Sequence, residues 1–117
     1  MKILLVINDA PYGTEKAYNA LRMAMMAQKE HPEAEVRIFL MADAVTCALP
    51  YQTTPQGYYN IERMFRSVIS KNGLVKACGS CAEARGLKDL QLIDGVEIST
   101  MSQLTQWTIE SERIITF

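Results

Sequence analysis

The residues of this chain best suited to chemistry are two cysteines separated by a Gly-Ser pair. They lie in Val75-Lys76-Ala77-Cys78-Gly79-Ser80-Cys81-Ala82-Glu83-Ala84-Arg85-Gly86. A short apolar run, the pattern of a buried strand, breaks straight into the cysteines, and a helix signal follows. Ser80 and Glu83 have the Ser-x-x-Glu spacing of a capping box. That spacing predicts Ser80 as N-cap, Cys78 just outside the helix and Cys81 in its first turn. Free backbone N–H groups and the positive end of a helix dipole stabilise a thiolate at such a place. The thiolate is the form that attacks sulfur electrophiles or binds metals, so sulfur chemistry at Cys78 is the leading reading. Two thiols at a strand-to-helix corner also suit thiol–disulfide exchange, one attacking and the other resolving. The bland alternative is a pair of small, half-buried residues closing a tight turn. Lys76 and Arg85 add positive charge nearby and Glu83 subtracts some, so the balance on Cys78 depends on where these side chains go.

Other chemistries have less support. Structural zinc wants four ligands, and the chain offers one pair, a distant Cys47 and a single histidine, His31. His31 falls at the end of the first predicted helix, so a metal site would need a second subunit. The same placement argues against a Cys–His hydrolase, whose base must lie within about 3 Å of the nucleophile. The loop Asn8-Asp9-Ala10-Pro11-Tyr12-Gly13-Thr14-Glu15 occupies a position where many α/β folds hold phosphate. It lacks the Gly-x-Gly-x-x-Gly and Gly-x-x-x-x-Gly-Lys patterns, and Glu15 would repel an anion. No metal and no cofactor are expected. The preferred reading is a structural turn bordering a pocket, with Asn8, Pro11, Tyr12, Gly13, Gly79, Ser80 and Arg85 lining it.

Net charge is −1, without the basic stripe of a nucleic-acid surface. No apolar stretch approaches the roughly 20 residues that cross a bilayer. The first residues are too few and end too polar, at Asn8-Asp9, for a signal peptide. Three cysteines then fit a reducing cytoplasm better than a disulfide framework. The expectation is a cytoplasmic protein with no membrane and no direct nucleic-acid partner.

The elements that must position these residues alternate in type. Residues 2–7 read as a strand buried on both faces. Thr14 is the expected N-cap of a helix with Tyr18, Leu21, Met25 and Gln28 on one stripe and alanines at 17, 20, 24 and 27 beside it; His31-Pro32 ends it. Residues 36–41 form the second strand, and Asp43 is expected to cap a short helix over residues 44–48 that packs Cys47. Residues 50–59 are aperiodic, and a loop of that length is usually functional or mobile. Asn60 caps a helix with Ile61, Met64, Phe65, Val68 and Ile69 on one face, stopped by Asn72-Gly73. Residues 74–77, 96–98 and 113–117 supply three more strands. Thr100 and Gln103 open a helix whose inward residues are expected to be Met101, Leu104 and Thr108, with Trp107 a further inward candidate. Met23, Met25 and Met26 are expected in core or subunit packing, and Tyr12, Tyr51, Tyr58 and Tyr59 at a subunit interface.

Strands alternating with helices imply β-α-β crossovers, hence an α/β fold with a mostly parallel sheet covered on both faces. At 117 residues the chain is expected to be one domain, residues 1–117. The unusual loops each follow a strand and should gather at the carboxyl edge of the sheet, where such folds bind ligands.

Several segments in order resemble the DsrE/DsrF-like family and, within it, the YchN-like branch. They are Asn8 with Ala10-Pro11-Tyr12-Gly13, Leu40-Met41-Ala42-Asp43-Ala44-Val45, and Gly57-Tyr58 with Asn60-Ile61. Further on come Val75-Lys76 with Cys78-Gly79-Ser80-Cys81, Arg85-Gly86, Leu92-Ile93-Asp94-Gly95-Val96-Glu97-Ile98, Gln106-Trp107-Thr108 and the Thr116-Phe117 end. The resemblance implies a three-layer α/β/α sandwich with a five-stranded, mainly parallel sheet, and assembly into homotrimers, hexamers or related hetero-oligomers. It also implies sulfur relay, in which a cysteine accepts a persulfide from a donor protein and passes it to an acceptor. That cysteine precedes an Arg-Gly pair by the distance separating Cys78 from Arg85-Gly86, so the role falls on Cys78. Cys81 has no equivalent in all sulfur-carrying members, but the YchN-like branch shares the pair. Its presence leaves room for a Cys78–Cys81 disulfide.

Overall fold

A computed structural model describes residues 1–117. In chain order the elements are β1 (Lys2–Ile7), α1 (Lys16–Glu30), β2 (Glu35–Leu40), a 3-10 helix (Ala42–Ala48), α2 (Ile61–Ser70), β3 (Leu74–Cys78), α3 (Gly79–Ala84), β4 (Val96–Ser99), α4 (Met101–Glu110) and β5 (Arg113–Thr116). The sheet runs β4-β3-β2-β1-β5, and every pairing in it is parallel. It is thus wholly parallel, where the sequence pattern asked only for mostly parallel.

Strand alternation assigns the two layers. Ile3, Leu5 and Ile7 share a face with Val36, Ile38 and Leu40, and on it α1 lays the small residues Ala17, Ala20 and Ala24, all buried with Leu21. Their lack of bulk lets the helix sit close to the β-branched sheet. Ile61, Phe65 and Val68 of α2 complete that layer. The opposite face carries Leu4, Arg37, Phe39 and Lys76, and α4 lies over it. Trp107 meets Phe39 edge-on with ring centroids 6.1 Å apart.

The local signals hold at two caps. Asn60 Oδ1 accepts from the Arg63 N–H at 3.0 Å, and Thr100 Oγ1 accepts from the Gln103 N–H at 3.2 Å. Three expectations fail. Glu15, not Thr14, precedes α1 and gives no side-chain cap; Thr14 instead reaches the Lys16 N–H at 3.4 Å. Asp43 does not cap its helix, because the helix begins two residues earlier and Met41 takes that position. In α4 the inward contact is Trp107, with Leu104 half-buried, whereas Met101 and Thr108 are exposed. This helix covers its face alone, so only a narrow stripe of it is buried.

Candidate functional site: a thiol pair at a strand-to-helix corner

β3 pairs with β4 through Cys78, which lies beside Ser99, and α3 begins at the next residue. A Cβ on Gly79 would stand 3.0 Å from the Ser99 carbonyl oxygen and 3.2 Å from Ile98 Cγ2. Glycine is what lets the helix start this close to the neighbouring strand. Because strand pairing persists to Cys78, the N-cap falls two residues earlier than the capping-box spacing suggests. Cys78 is itself the N-cap, with Sγ accepting from the Cys81 N–H at 3.3 Å. Ser80 is the second helical residue, its Oγ 3.3 Å from Cys78 Sγ, and Cys81 is the third. Glu83 is drawn off to Lys88 at 4.0 Å, so no capping box forms.

Both thiols are free; Cys78 is buried and Cys81 half-buried. Burial pushes the Cys78 thiol up, but hydrogen bonds from the Cys81 and Ser80 side chains and backbone N–H groups outweigh it. The net shift is downward, toward the thiolate at neutral pH. Cys81 moves the other way: burial raises it, and so do its hydrogen bond to Cys78 and the charge there. The Ala42 backbone and the Arg85 charge offset this in part. The two groups titrate as a pair, one proton leaving early and the other late.

The cations near the pair in sequence are both engaged elsewhere. Arg85 Nε and Nη2 bond Asp43 Oδ1 at 2.9 and 2.8 Å, and Nη1 donates to the Cys81 carbonyl at 3.1 Å. Arg85 therefore ties the end of α3 to the turn after β2. Lys76 points away, 5.0 Å over the Trp107 ring, donating to Gln103 Oε1 at 3.1 Å. Ala42 and Asp43 complete the surroundings of Cys81 and are absent from the candidates drawn from the sequence. Ala42 has a left-handed φ of 51°, which an alanine gives no reason to expect.

The remaining candidates serve the same edge of the sheet but make their hydrogen bonds with other groups. Asn8 donates from N and Nδ2 to the Phe117 carbonyl at 3.0 and 3.3 Å, closing the crevice between β1 and β5 where the strand order reverses. Pro11 is buried, and Gly13 turns the loop with a φ of 109°. Tyr12 Oη accepts from the Ile61 N–H at 3.0 Å and so satisfies the start of α2. Its ring belongs to a cluster in which Tyr59 stacks on Tyr18 and Tyr58 at 4.1 and 4.5 Å. Tyr51 stands apart and is exposed. Cys47 packs in the 3-10 helix as expected, 1% exposed, and burial pushes its thiol up to about 12. His31 lies beyond the carboxyl end of α1, 3.7 Å from Glu33.

Neither thiol lines a concavity of the subunit. One groove, between α1 and α2, is floored by Met25, Met26 and Met64 and rimmed by Arg22, Lys29 and Lys71. Another, apolar, includes Met23, Ala24 and Ile114. Met23 and Met26 are about half exposed, at 45% and 51%, and so lie outside the core of the subunit. No helix is long and apolar enough to cross a membrane.

Similarity to known proteins spans the whole chain. Protein YchN of Escherichia coli K12 is 43% identical over 116 residues, covering 99% of this chain and 98% of that protein. An uncharacterized protein of Methanocaldococcus jannaschii, MJ0989, is 40% identical over 117 residues, covering all of both. The crystal structure of the E. coli YchN protein superposes with a TM-score of 0.96, covering 100% of this chain and 99% of that one. The model of the DsrE/DsrF-like family matches residues 1–117. The chain belongs to the DsrE/DsrF-like family.

Proposed function

We propose that this protein is a cytoplasmic sulfur carrier, with Cys78 accepting sulfur from a donor protein as a persulfide and passing it to an acceptor. The observation that carries this reading is the N-cap position of Cys78. Its sulfur already accepts a backbone N–H of the first helical turn, and its proton is held loosely. A terminal persulfide sulfur is an anion at neutral pH, and a helix N-terminus stabilises anions. Membership of the DsrE/DsrF-like family supports sulfur relay as the setting. Assembly into a homotrimer or hexamer is part of the proposal, with Tyr51, Tyr58, Met23 and Met26 as exposed surface available for it.

The test is mass spectrometry after incubation of the reduced, folded protein with a cysteine desulfurase and cysteine. A gain of about 32 Da, one sulfur atom, on Cys78 is expected. Its absence sinks the carrier reading.

A second reading, a binding or assembly module without turnover, draws on the methionine-floored groove. Its three rim cations, Arg22, Lys29 and Lys71, have no carboxylate partner within ion-pair distance. The double substitution Cys78→Ser, Cys81→Ser separates the two. A binding module keeps its oligomer and partner, while a carrier loses all sulfur transfer.

A further inference from the structure

Cys81 is provided for more fully than a bystander to a carrier cysteine needs. Arg85 Nη1 donates to its carbonyl at 3.1 Å, and the Ala42 backbone, from a different part of the chain, favours its thiolate. Ala42 holds a left-handed φ of 51°, costing an alanine about 1–2 kcal/mol. Strain of this kind persists where the surroundings over-determine it, and it clusters at functional sites. Here the Arg85–Asp43 ion pair, with Arg85 also on the Cys81 carbonyl, clamps the strained turn against α3.

We infer that Cys81 discharges the sulfur carried on Cys78 as hydrosulfide, leaving a Cys78–Cys81 disulfide, so that the site releases sulfide as well as carrying sulfane sulfur. This rests on the persulfide reading of Cys78. Cys78 Sγ is the sulfur that faces the first turn of α3, where it accepts the Cys81 N–H at 3.3 Å, so the inner sulfur of a persulfide is the one within reach of Cys81. Residues three apart on a helix have Cβ atoms about 5–6 Å apart, and a disulfide needs about 4 Å. The difference of about 1–2 Å is taken up at Cys78, which as N-cap is only half inside the helix.

Loading also changes which thiol is ready to react. While Cys78 is an anion, its charge and its hydrogen bond hold the proton on Cys81. Sulfuration moves the negative charge out by one S–S bond, about 2 Å. Ala42 and Arg85 are then left to favour the Cys81 thiolate. Cys81 Sγ attacks Cys78 Sγ, and the Sγ–Sγ bond forms as the bond to the sulfane sulfur breaks. The electron pair leaves on that sulfur, which takes up the proton given up by Cys81 and departs as HS⁻. The sulfane sulfur gains two electrons and the two cysteine sulfurs lose one each. A single turnover needs no other reactant, and a dithiol restores the reduced pair.

The experiment loads the full chain with a cysteine desulfurase and cysteine, strips small thiols by rapid desalting, and follows the protein without oxygen or reductant. In the wild type the gain of about 32 Da should disappear. The mass should settle about 2 Da below the reduced protein, with one hydrosulfide released per disulfide formed. In Cys81→Ser and Cys81→Ala the adduct should last at least tenfold longer. Equal decay in wild type and both variants overturns the inference, as does migration of the sulfane to Cys81. So does hydrosulfide released from the wild type without a mapped Cys78–Cys81 link, a readout that needs no variant to fold. Loading without discharge refutes discharge alone and leaves the carrier reading standing. Failure of Cys78 to load in any of the three proteins overturns both.

Discussion

Cys78 has two duties in this fold, and one pair of substitutions separates them. As N-cap its sulfur satisfies the Cys81 N–H at 3.3 Å, and at 5% exposure water has little room to take over. Alanine removes the acceptor. Losing an N-cap costs about 1 kcal/mol, and deleting a buried sulfur of roughly methyl size adds about 1 kcal/mol more. Cys78→Ala should therefore lose about 2 kcal/mol. Serine gives up the apolar gain of the sulfur but is among the preferred caps. Its hydroxyl can accept from Cys81 N–H and bond Ser80 Oγ, which already lies 3.3 Å from the sulfur. Cys78→Ser should stay within about 1 kcal/mol of wild type while losing all sulfur loading. Urea unfolding under reducing conditions, with far-ultraviolet circular dichroism as readout, measures the difference between the variants. It should be about 1 kcal/mol, seen as a shifted midpoint at constant slope. If serine and alanine prove equally destabilised, within about 0.3 kcal/mol, Cys78 is not capping α3. The geometric account of its low proton affinity would then fail as well.

Three further outcomes follow from the packing and the titrations. At Gly73 an added Cβ would lie 2.4 Å from Val68 Cγ1 and 2.7 Å from the Val68 carbonyl oxygen. Gly73→Ala should lose about 2–3 kcal/mol by urea unfolding, since the backbone atom cannot step aside, whereas the open-sided Gly57→Ala should lose less. Cys47, with its thiol near 12, is ionised to about one part in 10⁵ at pH 7. Neutral alkylating reagents should label Cys78 first and Cys47 only on unfolding, as read by peptide mass spectrometry. For the coupled pair, the proton held loosely in the fold adds stability as pH rises toward the ordinary thiol value, because there the unfolded chain binds more protons. The proton held tightly removes stability above that value. Wild-type stability relative to the Cys78→Ser, Cys81→Ser double variant should therefore peak near pH 8.5, the ordinary thiol value. A flat difference between about pH 6 and 10 would contradict the opposed shifts.

What could be read from the residues in order was what local spacing decides. Asn60 and Thr100 announce their helices because a cap contacts a group three residues away. The alanines of α1 and the apolar runs of β1 and β2 likewise carry their burial in their period. Ser80 misled for a related reason. The capping-box pattern is local, but where β3 ends is set by pairing with Val96–Ser99, some twenty residues on. The destination of Arg85 was also out of reach, since Asp43 is 42 residues distant. So was the conformation of Ala42, fixed by Ala44, Val45, Cys47 and Ala48 being drawn into the core behind it. In α4 the period alone could not say how wide a stripe would be covered, because that depends on the helix lying unaccompanied on its face.

The destinations of Lys76 and Arg85 decide what kind of force acts on Cys78. From the sequence either cation could have lowered its pKa by charge. In the fold Lys76 is spent on Trp107, Gln103 and Glu97, and the groups acting on Cys78 are hydrogen bonds from Cys81 and Ser80 set against burial. Contact hydrogen bonds are barely screened by salt, whereas the reach of a free charge falls from about 10 Å at 0.1 M to about 3 Å at 1 M. The alkylation midpoint of Cys78, measured against pH with a neutral reagent, should thus move by less than about 0.2 units between those two salt concentrations. Lys76→Gln should leave it in place. Cys81 feels Arg85 and the charge on Cys78, so its later midpoint should shift with salt. A Cys78 midpoint that climbs by about half a unit in 1 M salt, or on removing Lys76, would mean that charge and not the helix start prepares the thiol.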